Sequence, residues 1–208
     1  MSEEELFERI AKELYVDDRD HGKRYTHAKA AEYLERVMYV CPHCGLAHFR
    51  SEGDTVQCLD CGMKARYLPD LTFESLEGDF PYRTVKDWYD AQCEFVNNLD
   101  LLGYSDMPIY EDEAQLSEVI VYKRKELLKE QVSVKLYGDR IVIDDTEYPF
   151  RDVMAVVILG KNKVNIYHGQ RIYQLKGGKR FNGLKYVNIY HRYKNLVSEN
   201  ENGKFLGL

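Results

Sequence analysis

The chain has 208 residues, 44% of them hydrophobic, and a formal net charge of −6. That length suits one ordinary domain or two small ones, and the apolar fraction is enough for a packed core. No apolar run approaches the roughly 20 residues that a membrane helix needs, and the N-terminus, MSEEELFERI, has neither the basic start nor the apolar core of a signal peptide. We therefore expect a cytoplasmic protein. Its five cysteines, four of them in close pairs, fit a reducing compartment in which thiolates bind metal.

Two helices are predicted before the first cysteine. Ser2 and Glu5 have the spacing of a capping box in front of LFERIAKEL, and Thr26 is placed to cap a second helix over HAKAAEYLERVMYV. The segment between them, DDRDHGKR, is predicted to be a polar connection.

The cysteines form two copies of a Cys-x-x-Cys-Gly knuckle. The ligands predicted from this pattern are Cys41, Cys44, Cys58 and Cys61. The thirteen residues between the knuckles are enough for a hairpin, so the pattern predicts a zinc ribbon, with Gly45 and Gly62 in the tight turns. Four thiolates fill a tetrahedral zinc site, which favours a structural ion over a catalytic one. His43 and His48 lie near enough in sequence to replace a cysteine, although His43 is wedged between two ligands.

Nucleic-acid binding is the alternative function that a zinc ribbon raises. The possible phosphate contacts in this segment are His43, His48, Arg50, Lys64 and Arg66. They are mixed with Glu52, Asp54 and Asp60, which leaves the surface nearly balanced in charge. Because phosphate neutralisation supplies most of the affinity for nucleic acid, this interpretation is the weaker one.

After the ribbon, YLPDLTFES can add a strand, and Thr84 with Asp87 forms a capping box before a helix that contains Trp88. Cys93 falls on the apolar stripe of that helix, which predicts a buried core thiol. The following stretch, GYSDMPIYEDEAQ, has glycine, proline, acidic residues and no periodicity, so it is predicted to be a linker.

The last part of the chain changes to a strand pattern. Seven short β-rich runs, from SEVIVYKRK to RIYQLKG, precede one amphipathic helix in FNGLKYVNIYHRYKNLV. Seven strands and a closing helix are the order of a pleckstrin-homology-like barrel. We therefore predict an α+β protein with two modules: a helical and zinc-ribbon module over residues 1–110, and a barrel over residues 111–208.

Basic residues are concentrated near the end of the chain. Between Lys161 and Lys194 there are nine lysines or arginines and no acidic residue. Within this segment, the possible anion-binding residues are Lys176, Lys179, Arg180 and Lys185, which lie around a Gly-Gly turn and a helix N-terminus. Such a charge run is also typical of a solvated face, or of a surface that packs on the acidic first part.

Several stretches together resemble a known family. They are YLERVMYVCPHCG, CLDCG, FPYRTVKDWYDAQ and RFNGLKYVNIYHRYK. They resemble the region that follows the catalytic domain in bacterial 1-acyl-glycerol-3-phosphate acyltransferases, mainly of the Firmicutes type. The likeness covers most of the chain, and its opening, ELFERIAKELYVDDRD, looks like the last helix and exit of such a catalytic domain.

The catalytic signature of that family is a histidine followed five positions later by an aspartate. None of the six histidines here meets that rule; His27, followed by Glu32, comes nearest. The chain carries no other catalytic motif, so the resemblance implies an accessory region without the reaction centre. That region would dock to anionic membrane lipid, which implies a peripheral membrane location, or to a protein partner such as the acyltransferase domain.

Overall fold

The computed structural model describes residues 2–14, 22–120 and 124–197. Most of the predicted polar connection over residues 17–24, residues 121–123 of the predicted strand SEVIVYKRK and the end of the second predicted module lie outside the described residues. The helices are α1 (Glu3–Leu14), α2 (Val85–Asn97) and α3 (Leu184–Val197), with short 3₁₀ turns at Leu34–Arg36 and Leu102–Tyr104. The protein is therefore a mixture of helices and sheets, as predicted.

The N-terminal part contains a two-stranded and a four-stranded sheet. Their strands are β1 (Val40–Cys41), β2 (Gly45–Leu46), β3 (Phe49–Glu52), β4 (Thr55–Cys58), β5 (Lys64–Tyr67) and β6 (Phe73–Glu77). β1 pairs with β2, and β3 to β6 form an antiparallel meander. The core of this part is an aromatic cluster around Trp88, which is fully buried and contacts Phe49, Phe73 and Phe80 edge to face.

Seven antiparallel strands form the C-terminal part. They are β7 (Tyr110–Ile120), β8 (Arg124–Leu136), β9 (Arg140–Ile143), β10 (Thr146–Pro149), β11 (Val153–Ile158), β12 (Lys163–His168) and β13 (Arg171–Gly177). Their spatial order is β10-β9-β8-β7-β13-β12-β11, so the first strand pairs with the last. The two edge strands, β10 and β11, are consecutive in the chain, which makes the sheet barrel-like and nearly closed.

Helix α3 covers the gap between these two edge strands. The Tyr190 hydroxyl donates to the carbonyl oxygens of Val153 at 3.1 Å and Met154 at 2.8 Å on β11. The Tyr190 ring also contacts Phe150, the residue that follows β10. The predicted apolar stripe of the helix therefore seals the sheet, with Tyr186 and Ile189 fully buried.

Residues of the N-terminal part contribute to the core of the seven-stranded sheet. Tyr39 and Val40, next to the first knuckle, pack with residues of the seven-stranded sheet. The Tyr110 hydroxyl donates to the carbonyl oxygen of Tyr39 at 3.0 Å, and the Asn188 amide donates to the Tyr39 hydroxyl at 2.6 Å. Tyr39 thus joins the ribbon to β7 and to α3. The boundary predicted at residues 110 and 111 falls at the first residues of β7.

Two predicted elements are wrong. The helix expected after Thr26 is a series of turns and one 3₁₀ turn, because Tyr33 has a left-handed φ of 74° and its N–H donates to the Ser51 hydroxyl at 2.8 Å. The predicted linker over residues 103–115 contains the first half of β7. Its acidic residues are compatible with a strand because they alternate: Glu111 is exposed, and half-buried Asp112 is paired with Lys185.

The predicted capping boxes are confirmed at α1 and α2. Ser2 and Glu5 exchange hydrogen bonds at 3.1 and 2.7 Å, and Thr84 and Asp87 do the same at 3.1 and 2.9 Å. Cys93 is buried in α2, as predicted.

Candidate functional site

The four predicted cysteines meet at one point. Cys41 ends β1 and Cys58 ends β4, while Cys44 and Cys61 lie in the turns that follow. Gly45 and Gly62 have φ values of 75° and 80°, the left-handed region that glycine adopts without strain. The two knuckle glycines therefore adopt the left-handed conformation that a tight turn requires, Gly45 at the start of β2 and Gly62 directly after Cys61.

The sulfur geometry fits one tetrahedral metal ion. All four Sγ atoms lie within 4.8 Å of one another. The Sγ atoms of Cys41 and Cys61 are 3.7 Å apart, and those of Cys44 and Cys58 are 3.6 Å apart. A tetrahedron with metal–sulfur bonds of about 2.3 Å has edges of about 3.8 Å. The four cysteines are therefore close enough to hold a metal ion.

The protein environment differs between the four thiols. Cys41 and Cys58 are buried against the Trp88 cluster, whereas Cys44 and Cys61 are exposed. The pKa of Cys61 is lowered to about 7, mainly by a backbone hydrogen bond from Met63. The pKa of Cys58 is raised to about 11, mainly by burial. Backbone N–H groups at a knuckle thus favour the thiolate form that a metal requires.

The two nearby histidines point elsewhere. The His43 Nε2 atom lies 2.6 Å from the carbonyl oxygen of Asp79, and the His48 Nδ1 atom lies 3.4 Å from a carboxylate oxygen of Asp60. Among the described residues the metal-capable group consists of the cysteines alone.

The four predicted anion-binding residues are divided between two places. Arg180 pairs with buried Glu35, and Lys185 is itself buried with its ammonium group 2.7 Å from Asp112. Lys176 and Lys179, which flank the Gly177–Gly178 turn, are both exposed. The structure therefore does not present these side chains as one surface.

Lys176 and Lys179 belong to a surface that we call the basic edge. It comprises Lys161, Lys163, Lys176 and Lys179, together with Ile158 and Leu159. Lys163 and Lys176 are cross-strand partners in β12 and β13. The Asn162 amide donates to the carbonyl oxygens of Gly177 at 2.6 Å and Gly178 at 3.2 Å, which fixes the turn after β11 beside the Gly-Gly turn.

The basic edge combines free charge with exposed apolar area. Within the described parts of the chain, no carboxylate lies within salt-bridge distance of any of its four ammonium groups. Ile158 and Leu159 are 41% and 48% exposed. The nearby Lys125 ammonium has a lowered pKa because of burial first and the charges of Lys163 and Lys176 second. Glu113 and Glu130 line a shallow hollow together with Lys176.

Sequence reasoning missed a cavity of about 240 Å³ between the two parts. Arg180 and Lys185 both line it, opposite residues of the ribbon. Their carboxylate partners, Glu35 and Asp112, lie 145 and 73 residues away in the chain, so no local pattern could have identified the pairs.

The comparisons with known proteins assign no family to this chain. No family model and no curated protein matches the sequence. Among solved structures, the solution structure of the N-terminal PH domain of the human ARAP2 protein is similar over 44% of this chain and 84% of that chain, with 17% sequence identity and a TM-score of 0.34. None of the described helices is both long and apolar enough to span a membrane.

Proposed function

We propose that the four cysteines bind a structural zinc ion. The donor set is all thiolate, which suits zinc among the common protein metals, and its four sulfurs complete a tetrahedron without an open position. When bound, zinc would cross-link the two knuckles. Cys41 and Cys58 would anchor it to the Trp88 core, and the left-handed turns at Gly45 and Gly62 would direct backbone N–H groups toward the sulfurs.

The seven-stranded sheet with α3 is best interpreted as a pleckstrin-homology-like barrel. Its strands follow one another as a meander in which the first pairs with the last, and the C-terminal helix covers the open corner. Such barrels present loops and strand ends as binding surfaces on a rigid frame.

The function we propose for the chain is a non-catalytic accessory region of a phospholipid-synthesis acyltransferase that docks to anionic membrane lipid. The acyltransferase setting rests on the sequence resemblance. The observation that carries the docking proposal is the basic edge, which combines the exposed Ile158 and Leu159 with four lysines that have no carboxylate within salt-bridge distance among the described residues. Each basic residue near an anionic leaflet contributes about 1 kcal/mol, and apolar side chains that enter the interface add to that attraction.

Co-sedimentation with vesicles of graded anionic lipid content tests this function. We expect binding of the zinc-loaded chain to rise with anionic lipid and to fall with salt. The double charge reversal Lys161→Glu with Lys163→Glu should weaken binding by at least about tenfold, because it removes two attractive charges and adds two repulsive ones. The matched control reverses Lys29 and Lys86, two exposed lysines of the N-terminal part, and should leave most of the binding intact.

Equal loss of binding in the two double variants would reject the basic edge as the docking surface. Absence of wild-type binding to any vesicle would reject membrane docking, and the search would turn to a protein partner. Nucleic-acid binding is not favoured by the ribbon surface, since Arg50 pairs with Glu52, and Arg66 lies 3.4 Å from both Asp54 and Glu74.

A further inference from the structure

The cavity between the two parts is lined by charged side chains from both. The lining includes Glu35, His48 and Arg50 on the ribbon side and Asp112, Arg180, Asn182 and Lys185 on the barrel side. Most of the remaining wall is apolar or aromatic, including Met38, Tyr39, Phe49 and Tyr110. Charged groups beside a partly apolar wall act at lower local dielectric than surface charges, so they interact more strongly with a bound ion.

Both acidic groups in this wall already have partners. Asp112 accepts from the Lys185 ammonium at 2.7 Å and from the Tyr186 hydroxyl at 2.6 Å. Glu35 accepts from Arg180 and from the Ser51 hydroxyl. The acceptor capacity of the wall is therefore largely used within the protein.

Hydrogen-bond donors, in contrast, remain available. Asn182 is 6% exposed, and its Oδ1 atom accepts from the backbone N–H groups of Leu184 at 2.9 Å and Lys185 at 3.2 Å, which caps α3. The cap uses the side-chain oxygen as its acceptor. The Nδ2 group takes no part in the cap and is buried without a hydrogen-bond partner. Because a buried N–H group without an acceptor is costly, this amide favours a ligand that supplies one.

Two further features add positive potential at the same place. Lys185 is 5% exposed, and its ammonium group lies 4.2 Å from the centre of the Tyr110 ring while only one carboxylate contacts it. Helix α3, fourteen residues long, begins beside Asn182, and a helix N-terminus attracts negative charge.

We propose that this cavity binds a small phosphate-bearing anion, with Asn182 Nδ2, Lys185 and Arg180 as its donors. This site is separate from the basic edge, and it takes a soluble ion or a single headgroup rather than a membrane surface. Because the wall comes from both parts of the chain, the bound anion would also hold the ribbon against the barrel. Ligand binding should therefore stabilise the protein by an amount that grows with the logarithm of the ligand concentration once that concentration exceeds Kd.

Titration with inorganic phosphate, against chloride at equal ionic strength, tests the site. We expect saturable binding by isothermal titration and a rise in Tm that phosphate produces and chloride does not. Asn182→Asp keeps the helix cap but replaces the free N–H donor with an anionic oxygen, so phosphate should bind at least about tenfold more weakly. Gln170→Glu, which adds one negative charge at an exposed turn, is the matched control and should bind as the wild type does.

The outcomes separate this site from the membrane surface. If Asn182→Asp loses phosphate binding and keeps vesicle binding, the cavity takes a soluble phosphate compound. Loss of both would assign a phospholipid headgroup to the same cavity. Absence of saturable phosphate binding by the wild type, or equal affinity in Asn182→Asp, would overturn the proposal. Should Asn182→Asp fail to fold, Asn182→Ser keeps a capping oxygen and removes the same donor.

Discussion

The two parts of the chain reach a folded core by different means. The strands of the ribbon are two to five residues long, and its core is an aromatic cluster that includes two cysteines. The barrel-like sheet has strands of up to thirteen residues and a large core of aliphatic and aromatic side chains closed by α3. Small modules bury too little apolar area to be stable without a cross-link. A large, nearly closed sheet buries enough apolar area to be stable without one. The comparison indicates that the ribbon depends on its cysteine centre and the barrel does not.

Breaking the cysteine centre should produce the largest difference between the two parts. We expect Cys58→Ser, or removal of zinc by a chelator, to unfold the ribbon, because the free energy of metal binding in such sites is free energy of folding. Trp88 is the single tryptophan of the chain, and it is fully buried in the ribbon core. Its fluorescence should therefore shift to the red, while the far-ultraviolet signal of the barrel strands remains.

Cys93→Ala provides the control for this prediction. Cys93 is buried in α2 but is not one of the four clustered cysteines, so the variant should keep one zinc per chain and a blue-shifted Trp88. An unchanged Trp88 spectrum after verified zinc loss would show that the ribbon core is stable by itself.

Gly177, at the end of β13, allows the stability of the barrel core to be tested separately from the ribbon. A Cβ atom added at Gly177 would lie 2.2 Å from Cγ of Phe181, a buried core residue. We expect Gly177→Ala to lower the free energy of unfolding by about 1–3 kcal/mol, the usual cost of overpacking. Chemical denaturation would measure it, with zinc retained.

The neighbouring glycine offers a matched control. Gly178 has no heavy atom within 4 Å of an added Cβ, so Gly178→Ala should leave stability within about 0.5 kcal/mol of the wild type. Equal effects at the two positions would contradict the close approach of Phe181 to Gly177.

Local patterns predicted the elements that local interactions determine. The two knuckles and the capping boxes at Ser2 and Thr84 follow from residue spacing within a few positions, and so do the seven strands except for the first half of β7, which is predicted to be a linker. The helix predicted after Thr26 is wrong because residues distant in sequence determine the conformation of that segment. Ser51 accepts a hydrogen bond from the Tyr33 N–H, and Arg180 forms an ion pair with Glu35.

The candidate anion site shows the same limit. The four predicted residues are close in sequence but lie in two places. Lys176 and Lys179 are on the exposed basic edge, whereas Arg180 and Lys185 line the cavity. The charge of each residue could be read from the sequence, but the carboxylates that pair with Arg180 and Lys185 come from other elements of the fold.

The smallest effect is expected at α1, which belongs to neither core. Every described residue of this helix is exposed, including Phe7 at 73% and Leu14 at 78%. Ser2→Ala removes the side chain that caps the helix, at a local cost of about 1 kcal/mol. Amide exchange over residues 3–8 should accelerate, while Tm and the Trp88 spectrum stay unchanged, because helix fraying here exposes no core. A fall of several degrees in Tm would instead mean that the apolar face of α1 packs against the rest of the chain in solution.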